Sequence, residues 1–293
     1  MAEQVATLPE IPTEDEKSPL YWEDAEKGLK LLNGDSLALL RSGILKPGSV
    51  DLIVTSPPYN IGTKYNGYED KLTSEEYLGW LVHVLDELKT VMSPQASLFL
   101  NISGKPTDPW LPFEVLALLR SRFKLQNTFH WVKALSYGKG AAAVSLGHYK
   151  PLGGARFVND CHEYIFHVTK SGKVPLDRKG PLAVPYKDSS NAIRWKNGSA
   201  GVRCRGNVWV LPYKTITSRV KERPHPATFP VALPEYCMQI HGVENIRLAL
   251  DPFSGIGTTL LAGKNLGVPT VGIELDPYYC KVTKTVLESK AAH

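Results

Sequence analysis

Two short strings in this chain have the residue types of a reaction site. Thr55-Ser56-Pro57-Pro58-Tyr59-Asn60 follows directly on an apolar run from Val50 to Val54. Consecutive prolines fix φ and remove two backbone donors, which leaves the loop with carbonyl acceptors, the Ser56 hydroxyl and the Tyr59 ring. The complementary ligand is an amine on a flat ring. Ser56 and the Pro57 carbonyl take its two protons while Tyr59 stacks on its face. The lone pair of such an amine is conjugated into the ring and weakly nucleophilic. Holding its hydrogens out of plane aims that pair outward, which is catalysis by orientation and hydrogen bonding with no covalent enzyme nucleophile.

The second string, Asp251 to Thr259 (DPFSGIGTT), is a glycine-rich turn between an apolar strand and a helix. Gly255 and Gly257 permit tight backbone geometry, and the N–H groups of a helix opening near Thr258 approach a ligand closely. The next strand delivers Glu274, 23 residues after Asp251, at a position and spacing suited to ribose hydroxyls. A lysine-bearing phosphate loop is missing, and so is the full dinucleotide glycine pattern. An adenosyl ligand without pyrophosphate fits best, and S-adenosyl-L-methionine is the natural candidate. The two strings together point to methyl transfer onto an exocyclic amine of a DNA base.

Alternating strands and helices must position them. Residues 28–40 read as a short strand, a turn at Gly34-Asp35 and a helix start, and further strands are expected at 50–55, 96–101, 125–132, 161–169, 247–251 and 268–275. Thr73 and Glu76 spell a capping box ahead of Tyr77, Leu81, Val84, Leu85, Leu88, Val91 and Met92 at helical spacing. Further helices fit Trp110–Phe123, Val231–His241 and Gly257–Leu266, and Asp276-Pro277 opens a last one. This rhythm over 28–133 and 231–290 implies one parallel α/β sheet covered on both faces. The expected organisation is a mobile arm (1–20), a catalytic half (21–133), a basic inserted segment (134–208) whose strand 161–169 returns to the sheet, and a cofactor-binding half (209–293).

Charge is segregated along the chain. Residues 131–225 hold 17 Lys and Arg against 5 Asp and Glu, while the remainder holds 17 against 24. A block this basic marks a surface facing phosphates. No run reaches the roughly 20 apolar residues of a membrane span. The first residues (MAEQVATLPEIPTEDEKSP) are acidic and lack signal-peptide character, so a cytoplasmic protein is expected. Cys161, Cys204, Cys237 and Cys280 lie far apart with no paired spacing, so reduced thiols are expected and no structural metal.

The strings and their order resemble the β-class amino-methyltransferases of DNA, the bacterial type II N4-cytosine and N6-adenine enzymes. The resemblance runs along about 260 residues: LNGDSLALL (32–40), TSPPYN (55–60), NDCHEYIFHVTK (159–170), RPHPATFPVALPEY (223–236), DPFSGIGTT (251–259) and GIELD (272–276). It implies a seven-stranded, mostly parallel methyltransferase sheet with one antiparallel strand. Base flipping is implied too, because the target amine lies inside the duplex. Catalysis would fall to Ser56, Pro57, Pro58 and Tyr59, with Tyr65 and Tyr68 as further candidates for stacking. The cofactor set would be Asp35 (toward the adenine), Pro226 and Thr228 (toward the methionine end), Asp251, Phe253, Ser254, Gly255, Gly257, Thr258 and Glu274. Ile256 and Thr228 depart from the family pattern, where serine and proline are frequent.

Lys133, Arg178, Lys179, Arg194, Lys196, Arg203 and Arg205 are the candidate DNA contacts, most of them positioning rather than specifying. His225 is read as cofactor packing rather than a general base, and Glu163 as a structural hydrogen-bonding group. Serine at the head of SPPY favours cytosine N4 over adenine N6. Methylation of an RNA or protein amine, or a non-catalytic DNA-binding subunit, are the competing classes. The resemblance allows a homodimer and a cognate restriction endonuclease as genetic partner.

Overall fold

A computed structural model describes residues 18–60, 72–105, 108–147, 155–187, 201–212 and 228–289. Tyr65, Tyr68, Arg194, Lys196, His225 and Pro226 lie outside them. The described strands are β1 (Leu20–Asp24), β2 (Leu29–Asn33), β3 (Val50–Thr55), β4 (Met92–Ile102), β5 (Lys124–Val132), β6 (Leu135–Tyr137), β7 (Val144–Leu146), β8 (His162–Thr169), β9 (Val184–Pro185), β10 (Val202–Arg203), β11 (Val208–Val210), β12 (Ala249–Asp251) and β13 (Thr270–Glu274). The α-helices are α1 (Ser36–Arg41), α2 (Ser74–Val91), α3 (Leu111–Arg122), α4 (Ala232–His241), α5 (Thr258–Leu266) and α6 (Pro277–Glu288).

One sheet of nine strands runs in the order β1-β2-β13-β12-β3-β4-β8-β5-β11. Its inner seven, β2 through β5 in that order, are the expected methyltransferase sheet with β8 as the antiparallel member. Two edge strands extend it: β1 antiparallel on β2 and β11 parallel on β5. Neither was expected, since β1 falls where the acidic arm meets the first strand and β11 is three residues long.

The β3 sequence VDLIVT is buried along its whole length, as a central parallel strand must be. Its side chains alternate between two cores. Ile53 joins the face covered by α2 and α3, whereas Leu52 and Val54 join the face covered by α4. The α2 capping box forms as spelled, with Thr73 accepting from the Glu76 N–H and Glu76 accepting from the Thr73 N–H. Its stripe of Tyr77, Leu81, Val84, Leu85, Leu88 and Val91 is buried. The helix passes straight into β4 at Met92, so that strand begins earlier than its apolar run suggests. Among the described residues, no helix is long and apolar enough to cross a membrane.

Chain direction reverses at the centre of the sheet. From β3 the chain steps through α2 to β4 on one side, and from β12 it steps through α5 to β13 on the other. Between the carboxyl ends of β3 and β12 lies the topological switch point, where open α/β sheets bind their ligands.

Candidate active site

Both chemistry-bearing strings emerge at that point. The SPPY loop leaves β3 and the glycine turn leaves β12, and the Thr55 hydroxyl donates to Asp251 Oδ1 at 2.9 Å across 196 residues of sequence. Asp251 is 1% exposed. Its carboxylate also accepts from the Thr259 hydroxyl (2.6 Å) and the Phe253 N–H (3.1 Å). Burial pushes it up to about 6 against the pull of those donors. With both oxygens engaged inside the protein, Asp251 shapes the turn from beneath.

Gly255 and Gly257 take φ of +54° and +78°, the left-handed region that favours glycine. A Cβ on Gly257 would run into Thr283 Cγ2, so α6 presses on the turn from behind. Gly257 caps α5 without a side-chain acceptor, leaving the first backbone N–H groups of that helix to a ligand. Glu274, at the end of β13, accepts from the Gly255 N–H at 2.7 Å and the Asp276 N–H at 2.9 Å. Burial pushes its carboxyl up to about 7 against these two bonds, and the charges of Asp276 and Asp251 add to the rise. Each Glu274 oxygen keeps acceptor capacity for a hydroxyl.

A buried Ser254 hydroxyl without a hydrogen-bond partner among the described residues completes this turn. Together with the uncapped helix start and the half-buried Glu274, it fits an adenosyl ligand bearing hydroxyl donors and an amino-acid end. Phe253 packs its ring 5.5 Å from Trp80 of α2 and stays partly exposed. Asp35 accepts from the Ala38 N–H at 2.8 Å and so caps α1. Beside it, Asn33 donates to the Glu274 and Leu275 carbonyls, and Gly34 N–H donates to the Glu274 carbonyl. That lacing brings Asp35 to the glycine turn. Thr258 and Thr228 are both half-buried.

On the other side of the switch point is a cluster that no contiguous motif announces. The Ser56 hydroxyl donates to Tyr59 Oη at 2.9 Å, and Tyr59 Oη donates to Glu163 Oε2 at 2.9 Å. Asn101, from the end of β4, gives its Nδ2 to Tyr59 Oη (2.7 Å) and to Glu163 Oε2 (2.6 Å). Lys133, just past β5, closes an ion pair with Glu163 Oε1 at 3.0 Å. Asn101 is 2% and Glu163 8% exposed. In the sequence Asn101 carries no expected role, and its only signal is an amide at the end of an apolar strand (ASLFLN). Lys133 was expected to face DNA; the buried Glu163 carboxylate turns its ammonium inward instead.

Among the described residues, the other basic candidates Arg178, Lys179, Arg203 and Arg205 do not share this edge. β8 runs antiparallel, so the chain after Thr169 leaves at the opposite, amino edge. There Lys170 donates to the carbonyl of Met92 at the start of β4, and Asp177 N–H to the carbonyl of Ile240 near the end of α4. Arg178 and Lys179 follow directly and lie toward the surface. Arg205 donates to the Leu182 carbonyl and holds its guanidinium 5.4 Å over the Tyr236 ring of α4, while Arg203 is exposed in β10.

Comparison with known proteins decides the family. The DNA methylase model (N6_N4_Mtase) matches residues 50–285. The chain belongs to this DNA methylase family. Its relatives include the type II methyltransferase M.ScaI of Streptomyces caespitosus, 30% identical over 92% of this chain and 84% of that protein. The DNA adenine methyltransferase YhdJ of Escherichia coli (strain K12) is 27% identical over 86% of this chain and 80% of its own length. Among solved structures, PvuII DNA methyltransferase (cytosine-N4-specific) shares the fold with a TM-score of 0.65 at 19% identity, covering 91% of this chain and 88% of that one. TTHA0409 of Thermus thermophilus, solved in complex with S-adenosyl-L-methionine, shares it at 0.56 and 24% identity, over 87% and 91%. This methylase is therefore a DNA methyltransferase of the N4-cytosine/N6-adenine group.

Proposed function

We propose that this methylase transfers the methyl group of S-adenosyl-L-methionine to the N4 amine of cytosine at a specific site in duplex DNA. The observation that carries the reading is the Thr55–Asp251 bond, which ties the amine-holding loop to the glycine turn at the switch point. When bound, S-adenosyl-L-methionine supplies an electrophilic methyl carbon. The protein's residues do the holding. Glu274 accepts the ribose hydroxyls, Asp35 faces the adenine, Phe253 packs on it, and the open N–H groups of α5 take the amino-acid end with Ser254, Pro226 and Thr228. Ser56 and the Pro57 carbonyl hold the target amine, and Tyr59 stacks on its ring.

Reaching that amine requires the base to leave the helix, at a cost of a few kcal/mol for unstacking. The duplex must therefore lie along the carboxyl edge. Of the basic candidates in 131–225, Arg194 and Lys196 remain for backbone contacts along that edge, whereas Arg178, Lys179, Arg203 and Arg205 lie away from it. The PvuII fold match and serine at the head of SPPY support cytosine N4, while the likeness to YhdJ favours adenine N6 as the second reading. Nucleoside analysis by mass spectrometry of DNA methylated by the purified enzyme tests the choice. N4-methylcytosine is expected, and N6-methyladenine would overturn it.

The type II names of the relatives support a cognate restriction endonuclease as genetic partner and a bacterial cytoplasmic location. Family resemblance alone supports a homodimer, which sedimentation of the purified protein would reveal.

A further inference from the structure

The catalytic cluster has a direction. Glu163 is acceptor-only when ionised, and an amide nitrogen donates only, so the Tyr59 hydrogen must point at Glu163 and the Asn101 amide must turn its nitrogen toward both. The Ser56 hydrogen then points at Tyr59 Oη, which receives two donors and gives one. What remains on Ser56 Oγ is acceptor capacity. The three oxygens form a chain of donors, each link 2.9 Å, running from the head of the SPPY loop to a carboxylate fixed by Lys133. Serine alone is a poor proton acceptor, yet methylation of an amine must release a proton.

We propose that Ser56, Tyr59 and Glu163 form a proton relay, in which Glu163 is the positioning residue that receives the proton released from the methylated amine. The inference rests on the amine-methylation reading above. As the nitrogen–carbon bond forms, the carbon–sulfur bond breaks and its electron pair stays on sulfur. The amine N–H proton passes to Ser56 Oγ, the Ser56 proton to Tyr59 Oη, and the Tyr59 proton to Glu163 Oε2. One positive charge disappears from sulfur and one negative charge from Glu163, so the step is neutral overall. Loss of the Glu163 proton to water, with Lys133 drawing the carboxylate back to its ionised form, resets the chain.

Asn101 has a separate task. Its bonds to Tyr59 Oη and Glu163 Oε2, with a longer one of 3.5 Å to Ser56 Oγ, hold the three oxygens in register. The titratable groups facing Glu163 among the described residues are Lys133 from the end of β5, Tyr59 from the loop and its chain neighbour His162. The relay needs no donor from outside this set.

Single-turnover methyl transfer by Glu163→Gln tests the relay, alongside calorimetric S-adenosyl-L-methionine affinity and fluorescence of 2-aminopurine at the target base. The variant should transfer about a hundredfold more slowly. Its rate should climb with pH as hydroxide replaces the carboxylate, while cofactor affinity and base extrusion stay within about twofold of wild type. Tyr59→Phe keeps the ring and cuts the chain at its middle, so it should show the same loss and pH profile, and the double variant should be no slower than either. It also carries the test where Glu163→Gln does not fold. A Tyr59→Phe or Glu163→Gln enzyme with wild-type rate and pH profile overturns the relay alone. So does a loss of rate matched by a loss of base extrusion, which would make Glu163 merely structural. A wild-type enzyme that methylates no DNA amine overturns the parent reading and the relay with it.

Discussion

The glycine turn and the SPPY cluster face each other across the switch point, and each holds a carboxylate by different means. Glu274 is held by two backbone N–H groups and no cation among the described residues. Glu163 is held by side chains from three separate segments, one of them the Lys133 ammonium. The turn is local: its donors lie within about one helix start of the glycines that shape it. The cluster is assembled from β3, β4, β5 and β8, and stands only while the sheet holds those strands in register. On the proposed function, the local device binds the cofactor, whereas the distributed one shapes the chemistry of the transfer step.

The largest expected effects break the cluster without touching the turn. Ser56→Ala and Tyr59→Ala should each lower turnover by about 10²–10³-fold, the scale of a lost orienting hydrogen bond, with S-adenosyl-L-methionine affinity nearly unchanged by calorimetry. Gly257→Ala should do the converse. A methyl driven into Thr283 Cγ2 at a φ of +78° should cost about 2 kcal/mol in thermal or urea unfolding and abolish detectable cofactor binding. Glu274→Gln leaves the shape and removes the charge, so cofactor affinity should fall about tenfold, the value of one charge-assisted hydrogen bond.

The two acids of the turn give opposite pH trends for stability and binding. Their folded values of about 6 (Asp251) and about 7 (Glu274) lie above the ordinary 3.8 and 4.5, so the native state holds more protons through that window. Melting of the ligand-free protein should therefore move to lower temperature as pH rises from about 4 to about 7. Hydroxyl donors favour ionised Glu274, so cofactor affinity should instead strengthen, by about tenfold between about pH 6 and pH 8, readable by calorimetry. The smallest expected effect concerns placement. Arg178→Ala combined with Lys179→Ala should change DNA affinity by less than about threefold, because these residues leave from the amino edge, and a larger loss would put DNA on that side as well.

Much of the turn was legible because its signals are close in sequence. Strand, glycines, helix and a following acid are all within 23 residues, and backbone geometry at glycine does not depend on distant partners. The α2 capping box and stripe were legible for the same reason. The cluster was only half legible. Ser56 and Tyr59 announce themselves and Glu163 reads as a structural hydrogen-bonding group, but Glu163 is 104 residues from Tyr59 and Asn101 is 62 from Glu163, so their partners are not visible locally, and nothing distinguishes Asn101 from a residue ending an ordinary strand. Charge alone marks Lys133 as a phosphate contact, since its carboxylate partner becomes visible only when β8 lies between β4 and β5. At β11, Val208 and Val210 face out and only Trp209 is buried, so there was too little periodicity to mark a strand.

At the far edge of the sheet, Trp22 of β1 donates its indole N–H to Glu288 at the end of α6, at 3.0 Å across 266 residues. The first and last parts of the described chain are thus neighbours. A linker joining Ser289 to Ser18 would close the described part of the chain into a ring, and fresh ends could be opened at a surface loop far from the seam where β3 meets β12. The same three-dimensional machine would then be written with β12 and β13 ahead of β3.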